Sequence, residues 1–237
     1  SGDTLWTHFI GNTGTGENGN CGIQTSDGGY LISGVAQGFG AGDNDILLVM
    51  TNPAGQPQWV KTYGDSLRED GYSVVEMADH GYAVNGFTLS FGAGNADVCI
   101  LRTDSTGNPV WLRGYGGKFH DFVHIGNSLA ATPDGGLITV GWSWNFGLGG
   151  DEAYLIKTDD TGDTLWTWVV SGPNSDVFSG VQETADHGYL VAGMTANFPA
   201  SPYSAFLVRT DNSGFSGCNS LRTGTDVSED SFIVNTH

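Results

Sequence analysis

The densest oxygen donors in the chain lie in two short acidic stretches, Gly42-Asp43-Asn44-Asp45 and Gly149-Gly150-Asp151-Glu152. Loop carboxylates suit a hard cation, and calcium takes about 6–8 oxygen ligands. Neither stretch has the Asp/Asn ladder and terminal Glu of a helix–loop–helix calcium site. Ca2+ is therefore the one cofactor the sequence suggests, with Asp43, Asp45, Asp151 and Glu152 as its candidate ligands. The histidines suggest no transition-metal centre, because His80 and His187 sit in separate turns and His120 and His124 flank Asp121 without a third clustered ligand. His120, Asp121 and His124 come nearest to an acid–base group, and carboxylates from separate parts of the chain could stand at glycosidase separation. The sequence has no nucleophile elbow, no phosphate-cradling strand-to-helix turn and no metallohydrolase histidine pair. No catalytic residue is assigned, and the expectation is a chain that binds without reacting.

Aromatic rings offer a second chemistry, since exposed rings stack on apolar sugar faces or anchor a protein partner. Phe39, Phe91, Phe146 and Phe198 each follow a turn aspartate at the same distance; the reading preferred is that each caps the hydrophobic space at its blade end, and the alternative, which makes them candidate contacts, is a ring of loop aromatics. Trp144 lies two positions beyond Trp142, and its counterparts in the other repeats are Gln37, Leu89 and Ala196. It is the first candidate contact, with Phe146 and the stretch His120-Asp121-Phe122 next. Carboxylates also recur, with Glu17, Glu69 and Asp176 before one strand and Asp45, Asp97 and Glu152 at the start of another.

The elements that carry these residues repeat. Asp27-Gly28-Gly29-Tyr30, Asp79-His80-Gly81-Tyr82, Asp134-Gly135-Gly136-Leu137 and Asp186-His187-Gly188-Tyr189 recur roughly every 50 residues, as do Trp6, Trp59, Trp111 and Trp166. Each period reads as four short strands, a to d, rich in Val, Ile, Leu, Tyr and Trp and bounded by Gly, Asp, Asn or Ser. The a–b links suit tight turns, and the c–d links (Asn52 to Gly55, Asp104 to Gly107, Asp159 to Gly162, Asp211 to Gly214) open on Asn or Asp and close on Gly. The expected fold is an all-β, four-bladed β-propeller, with five blades as the second choice. In that ring the d-type phrase at 3–9 supplies the outer strand of the last blade by pairing with 205–210, which removes an open sheet edge. Blade bodies are expected at about 19–63, 71–114, 124–170 and 178–210 plus 3–9, forming one domain over 1–215, with 216–237 as a tail or linker.

The four repeated tryptophans are expected to pack at blade edges, and Trp142 to fill space between blades. The variable b–c and d–a loops share one face, and this face is the expected binding surface. With 8 Lys and Arg against 26 Asp and Glu, a formal charge of -18 disfavours nucleic acid and anionic membrane surfaces. Three cysteines, Cys21, Cys99 and Cys218, make no disulfide framework.

Three phrases, Asp27-Gly28-Gly29-Tyr30-Leu31-Ile32-Ser33-Gly34, Ala153-Tyr154-Leu155-Ile156-Lys157-Thr158-Asp159 and Thr161-Gly162-Asp163-Thr164-Leu165-Trp166, resemble the repeats of large secreted or surface proteins of Bacteroidetes-type and related bacteria. The resemblance spans about residues 1–219. It implies an exported, cell-surface protein with propeller-like repeats and flanking domains. The function expected from both readings is a non-catalytic adhesion module presenting variable loops to an extracellular glycan or protein. A structural spacer is the alternative, and a glycan-processing enzyme a more distant one.

Overall fold

The repeat turns form as their chemistry dictates. Asn52, Asp104, Asp159 and Asp211 each accept backbone N–H bonds from the residues two and four positions on, at 2.8–3.0 Å. The closing glycines at 55, 107, 162 and 214 have φ between 75° and 86°, the left-handed region that a Cβ disfavours. In a computed structural model these turns join strands of an all-β chain. The structure describes residues 3–11, 14, 16–147, 150–197, 202–217, 220–224, 226–229 and 233–236.

The first sheet holds β1 (Gly16–Gln24), β2 (Tyr30–Gln37), β3 (Asn44–Thr51) and β4 (Pro57–Gly64), and the second β5 (Glu69–Glu76), β6 (Tyr82–Thr88), β7 (Asp97–Thr103) and β8 (Pro109–Gly116). The third holds β9 (Asp121–Val123), β10 (Leu129–Ala131), β11 (Leu137–Ser143), β12 (Glu152–Thr158) and β13 (Thr164–Val170), and the fourth β14 (Asp176–Glu183), β15 (Tyr189–Thr195) and β16 (Ser204–Thr210). Neighbouring strands pair antiparallel. The segment expected as a tail runs back across the array. Its strands β17 (Ser220–Thr223), β18 (Asp226–Glu229) and β19 (Ile233–Thr236) pair with β13, β8 and β4, at the outer edges of the third, second and first sheets.

The core lies between consecutive sheets. Leu31, Ile46, Leu48 and Tyr63 of the first sheet pack against Val84, Cys99 and Leu101 of the second. Ala83, Val98, Ile100 and Tyr115 meet Leu137, Tyr154, Ile156 and Val169 of the third, and Ile138, Val140 and Leu155 meet Phe178, Val191 and Val208 of the fourth. Tryptophan lies across each junction. Trp59 covers Gly107 and Trp111 covers Gly162, so the turn glycine of one sheet is roofed by the outer strand of the sheet before it. Tyr63 and Tyr115 fix the same junctions by donating to the carbonyls of Gly107 and Gly162, at 2.6 and 2.8 Å. These contacts bear out the packing role expected for the repeated tryptophans.

The closed four-bladed propeller, and the five-bladed ring with it, are overturned. The described residues form four separate open sheets of five, five, six and three strands, with none closed on itself. Closure required residues 3–9 to pair with 205–210. In the structure residues 3–11 form no strand, and Trp6 instead packs on Tyr30 and Gly55 of the first sheet. Among the described residues β16 is left as a sheet edge, and the outer face of the fourth sheet exposes Leu190, Met194 and Leu207. Equivalence of sequence phrases established what a strand of that type pairs with, but not that one chain would bend far enough to bring its two ends together.

Candidate functional site

The site is built where the second and third sheets meet, from the end of β6, the start of β9 and the end of β11. Cross-strand pairing places Trp142 opposite Phe122, with ring centroids 4.8 Å apart. Phe122 meets Phe87 edge to face at 4.9 Å, and Phe87 meets Tyr72 at 6.0 Å. Just past β11, the Trp144 backbone N–H donates to the His120 carbonyl at 2.9 Å. That bond sets the Trp144 ring 5.0 Å from His120 and 5.8 Å from Trp142, and its indole N–H donates to the Asp151 carboxylate. His120 in turn stacks on Phe122. Six rings thus form a continuous ladder whose outer end, Trp144, is 51% exposed.

Beside the ladder is a cavity of about 240 Å³ lined by Tyr72, Phe122, Ile125 and Trp142. A second cavity, of about 330 Å³, shares Tyr72 and Ile125 with the first and continues onto the first sheet past Arg68, Asn44, Gln37 and Asn18. Together they make one groove, aromatic at one end and amide-lined at the other. Arg68 forks onto Asp70 at 2.9 and 2.6 Å and lies over the Phe87 ring at 5.2 Å. The Asp70 carboxylate raises the Arg68 pKa further, and the Asn44 amide also donates to Asp70. Burial, and then Asp70, push the Tyr72 phenol up to about 12, so it stays a neutral hydroxyl. Arg68 and Asp70 are paired with each other and Glu17 adds a carboxylate at the far end, so the groove otherwise offers a ligand rings, amides and the Tyr72 hydroxyl.

The chain matches no protein-family model and no curated protein. With the ring closure also absent, the resemblance to bacterial surface-protein repeats has no support and is set aside.

The structure brings Trp144, His120 and Phe122, three separately named candidates, together. Asp121 is different: it is fully buried, accepting from the Gly117 N–H at 2.9 Å and the Asn145 amide at 2.6 Å, and offers nothing to a ligand. The three described phenylalanines take the capping role rather than forming a ring. Phe39 is buried on the first sheet beside Ala36, Leu47 and Val49, Phe91 packs on the core between the first and second sheets, and Phe146 packs on Tyr154. Each fills apolar space at a sheet end, and Phe198 lies outside the described residues. Sequence reasoning missed Tyr72, Phe87 and Ile125. Ile125 alone carried a signal, as an apolar residue in a variable loop.

The four cation candidates are split between two sheets. Asp43 is exposed and Asp45 buried in the first, while Asp151 holds Trp144 and Glu152 is buried in the third. Among the described residues no three or more His, Cys, Asp or Glu side chains are grouped to hold a metal ion. The recurring carboxylates have another occupation. Asp45, Asp97, Asp121 and Glu69 accept backbone N–H bonds from Ala41, Gly94, Gly117 and Asp65, and so clasp the loops that lead into or out of their strands.

They do so in side-by-side pairs. Oxygens of Asp45 and Glu69 lie over Gly64, and those of Asp97 and Asp121 over Gly116. Burial first, and for Asp45 also the charges of Glu69 and Asp65, push Asp45 and Asp121 up to about 6. A carboxyl whose folded pKa exceeds its unfolded value binds protons more tightly when folded, so stability grows as pH falls through 6. Turn carboxylates such as Asp104 and Asp159 are held below their usual value by hydrogen bonds and lose stability only below about 4. The denaturation midpoint is therefore expected to rise from pH 7 to pH 5, by about 1 kcal/mol for each of Asp45 and Asp121, and to fall below pH 4. Asp121→Asn should remove its share of the rise. A midpoint that falls steadily from pH 7 would contradict the assignment.

Proposed function

We propose that the chain is a non-catalytic binding module that takes a neutral glycan in the groove running from Trp144 to Asn18. The observation that carries this reading is the exposed Trp144 at the end of a six-ring ladder whose inner members Trp142, Phe122 and Tyr72 line the cavity that leads on to the amides. A half-exposed indole fixed by its own backbone and ring hydrogen bonds offers a flat apolar surface with little ordering cost on binding. Asn18, Gln37 and Asn44 line the far end, where amides can both donate to and accept from hydroxyls. The charge of -18 supports an uncharged over an anionic ligand. The location that goes with this proposal is outside the cell, either secreted or on a surface. Adhesion through a protein partner on the same groove is the second form of the proposal, and a spacer role is favoured only by the serial stacking of the sheets.

The test is affinity electrophoresis or calorimetry with a panel of soluble neutral polysaccharides, wild type beside Trp144→Ala. The expected loss is about tenfold to a hundredfold, the scale of one hot-spot ring of about 1.4–3 kcal/mol, with the carbohydrate recovered unchanged. Equal binding by both proteins would remove Trp144 from the site, and turnover of the polysaccharide would replace a binding reading with an enzymatic one.

A further inference from the structure

Residues 3–10 carry the phrase of an outer strand but are not in a sheet. Asp3-Thr4-Leu5-Trp6-Thr7 is identical to Asp163-Thr164-Leu165-Trp166-Thr167, which opens β13, the outer strand of the third sheet. The two segments also sit alike, each on the sheet next in sequence. Trp166 covers Gly214 and meets Tyr189 of the fourth sheet at 5.7 Å, and Trp6 covers Gly55 and meets Tyr30 of the first at 5.6 Å. The Trp168 ring N–H donates to the Ser213 carbonyl at 2.9 Å, and His8 Nε2 lies 3.1 Å from the equivalent Ala54 carbonyl. Residues 3–10 therefore occupy the place of an outer strand belonging to a sheet stacked ahead of the first one.

The side that such a sheet would cover is bare. Leu5 and Phe9 are 93% and 97% exposed, whereas Val169, the counterpart of Phe9, is fully buried. At the other end of the array the fourth sheet shows the complementary want. It ends at β16 with no outer strand among the described residues, and a groove of about 390 Å³ lined by Val170, Phe206, Leu207 and Val208 runs along that edge. Leu190 and Leu207 are 39% and 66% exposed on its outer face, whereas their third-sheet counterparts Ile138 and Leu155 are fully buried under the fourth sheet.

We infer that residues 3–10 of one copy complete the fourth sheet of a second copy, pairing antiparallel with β16 and stacking that sheet on the first sheet of the donor. The register follows from β12 and β13, where Ile156 faces Thr167 and Tyr154 faces Val169. Thr7 then faces Val208 and Phe9 faces Phe206 of the acceptor. Edge pairing of this kind supplies backbone hydrogen bonds along the strand, and the apolar faces supply burial. Donor and acceptor are different surfaces, so the contact is heterologous and propagates head to tail. The inference is independent of the glycan groove.

The experiment is sedimentation velocity on the full chain from roughly 1 to 100 µM, a span that brackets micromolar association. Wild type is expected to grow from monomer to dimer and larger species. Phe9→Asp disables the donor and Leu207→Asp the acceptor. Both positions are exposed in the single copy, so both variants should fold as wild type does and stay monomeric. Mixed in equal amounts, they should form a dimer that does not extend, because one useful donor and one useful acceptor remain. Wild type that stays monomeric throughout, variants that associate as wild type does, or a mixture that stays monomeric would each overturn the inference.

Discussion

Gly86→Ala is expected to destabilise the protein by about 3 kcal/mol or more, the upper end of what overpacking costs. Gly86 lies within β6 opposite Gly71 on β5, at the point where the register of that pair shifts. A Cβ there would stand 1.7 Å from the Asp70 carbonyl oxygen and 2.8 Å from its carbon, both backbone atoms that cannot swing aside. Gly34, Gly141 and Gly193 meet the carbonyls of Asn18, Phe122 and Val177 in the same way at 1.9 Å, so the constraint belongs to the repeat. Relief requires the β5 backbone to retreat between Asp70 and Tyr72, which are residues of the groove. Gly22→Ala is the control, because its Cβ would find nothing closer than 3.8 Å. Thermal unfolding should place Gly86→Ala roughly 6–12 °C below Gly22→Ala. Equal midpoints would mean that the strand pair is not as close as described.

Asn85→Ala should cost on the order of 3 kcal/mol, because three buried partners lose their bonds together. The side chain is fully buried. Its Oδ1 accepts from the Ser73 N–H at 3.0 Å, and its Nδ2 donates to Ser128 Oγ at 3.0 Å and Thr139 Oγ1 at 2.7 Å. Ser73 and Asn85 belong to the second sheet, Ser128 and Thr139 to the third, so this network sews together the junction that carries Tyr72, Phe87 and Phe122. The loss of stability, read from urea denaturation, should come with weaker polysaccharide binding measured well below the midpoint. A cost under about 1 kcal/mol would show that the network is not satisfied as drawn.

Turns and strands were legible because each rests on local chemistry. Asn or Asp followed three residues later by Gly fixes a turn wherever it occurs, and all four such turns form with the same bonds. Ring closure was not local, since it depended on the rotation between sheets, which no spacing encodes. Trp144 could be found because it broke the repeat at a place where its counterparts are Gln37, Leu89 and Ala196. Phe87 was hidden because it obeys the repeat as a strand-end apolar residue, and Tyr72 because a half-buried strand tyrosine is ordinary. Asp121 was misjudged for a related reason. Its neighbours His120 and Phe122 reach the surface, while strand alternation and an Asn145 amide draw its carboxylate inward.

The claim that the Trp144 groove binds glycan is tested most directly by the indole N–H resonances of the seven tryptophans. Each is a separate reporter: Trp59, Trp111, Trp166 and Trp168 lie at sheet junctions and Trp6 on the turn end of the first sheet, all outside the lining of the groove. Titration of 15N-labelled protein with the polysaccharide that binds best is expected to shift Trp144 and Trp142 saturably and leave the other five in place. Saturable shifts at junction tryptophans with Trp144 unmoved, or no shift with any neutral polysaccharide, would contradict the account.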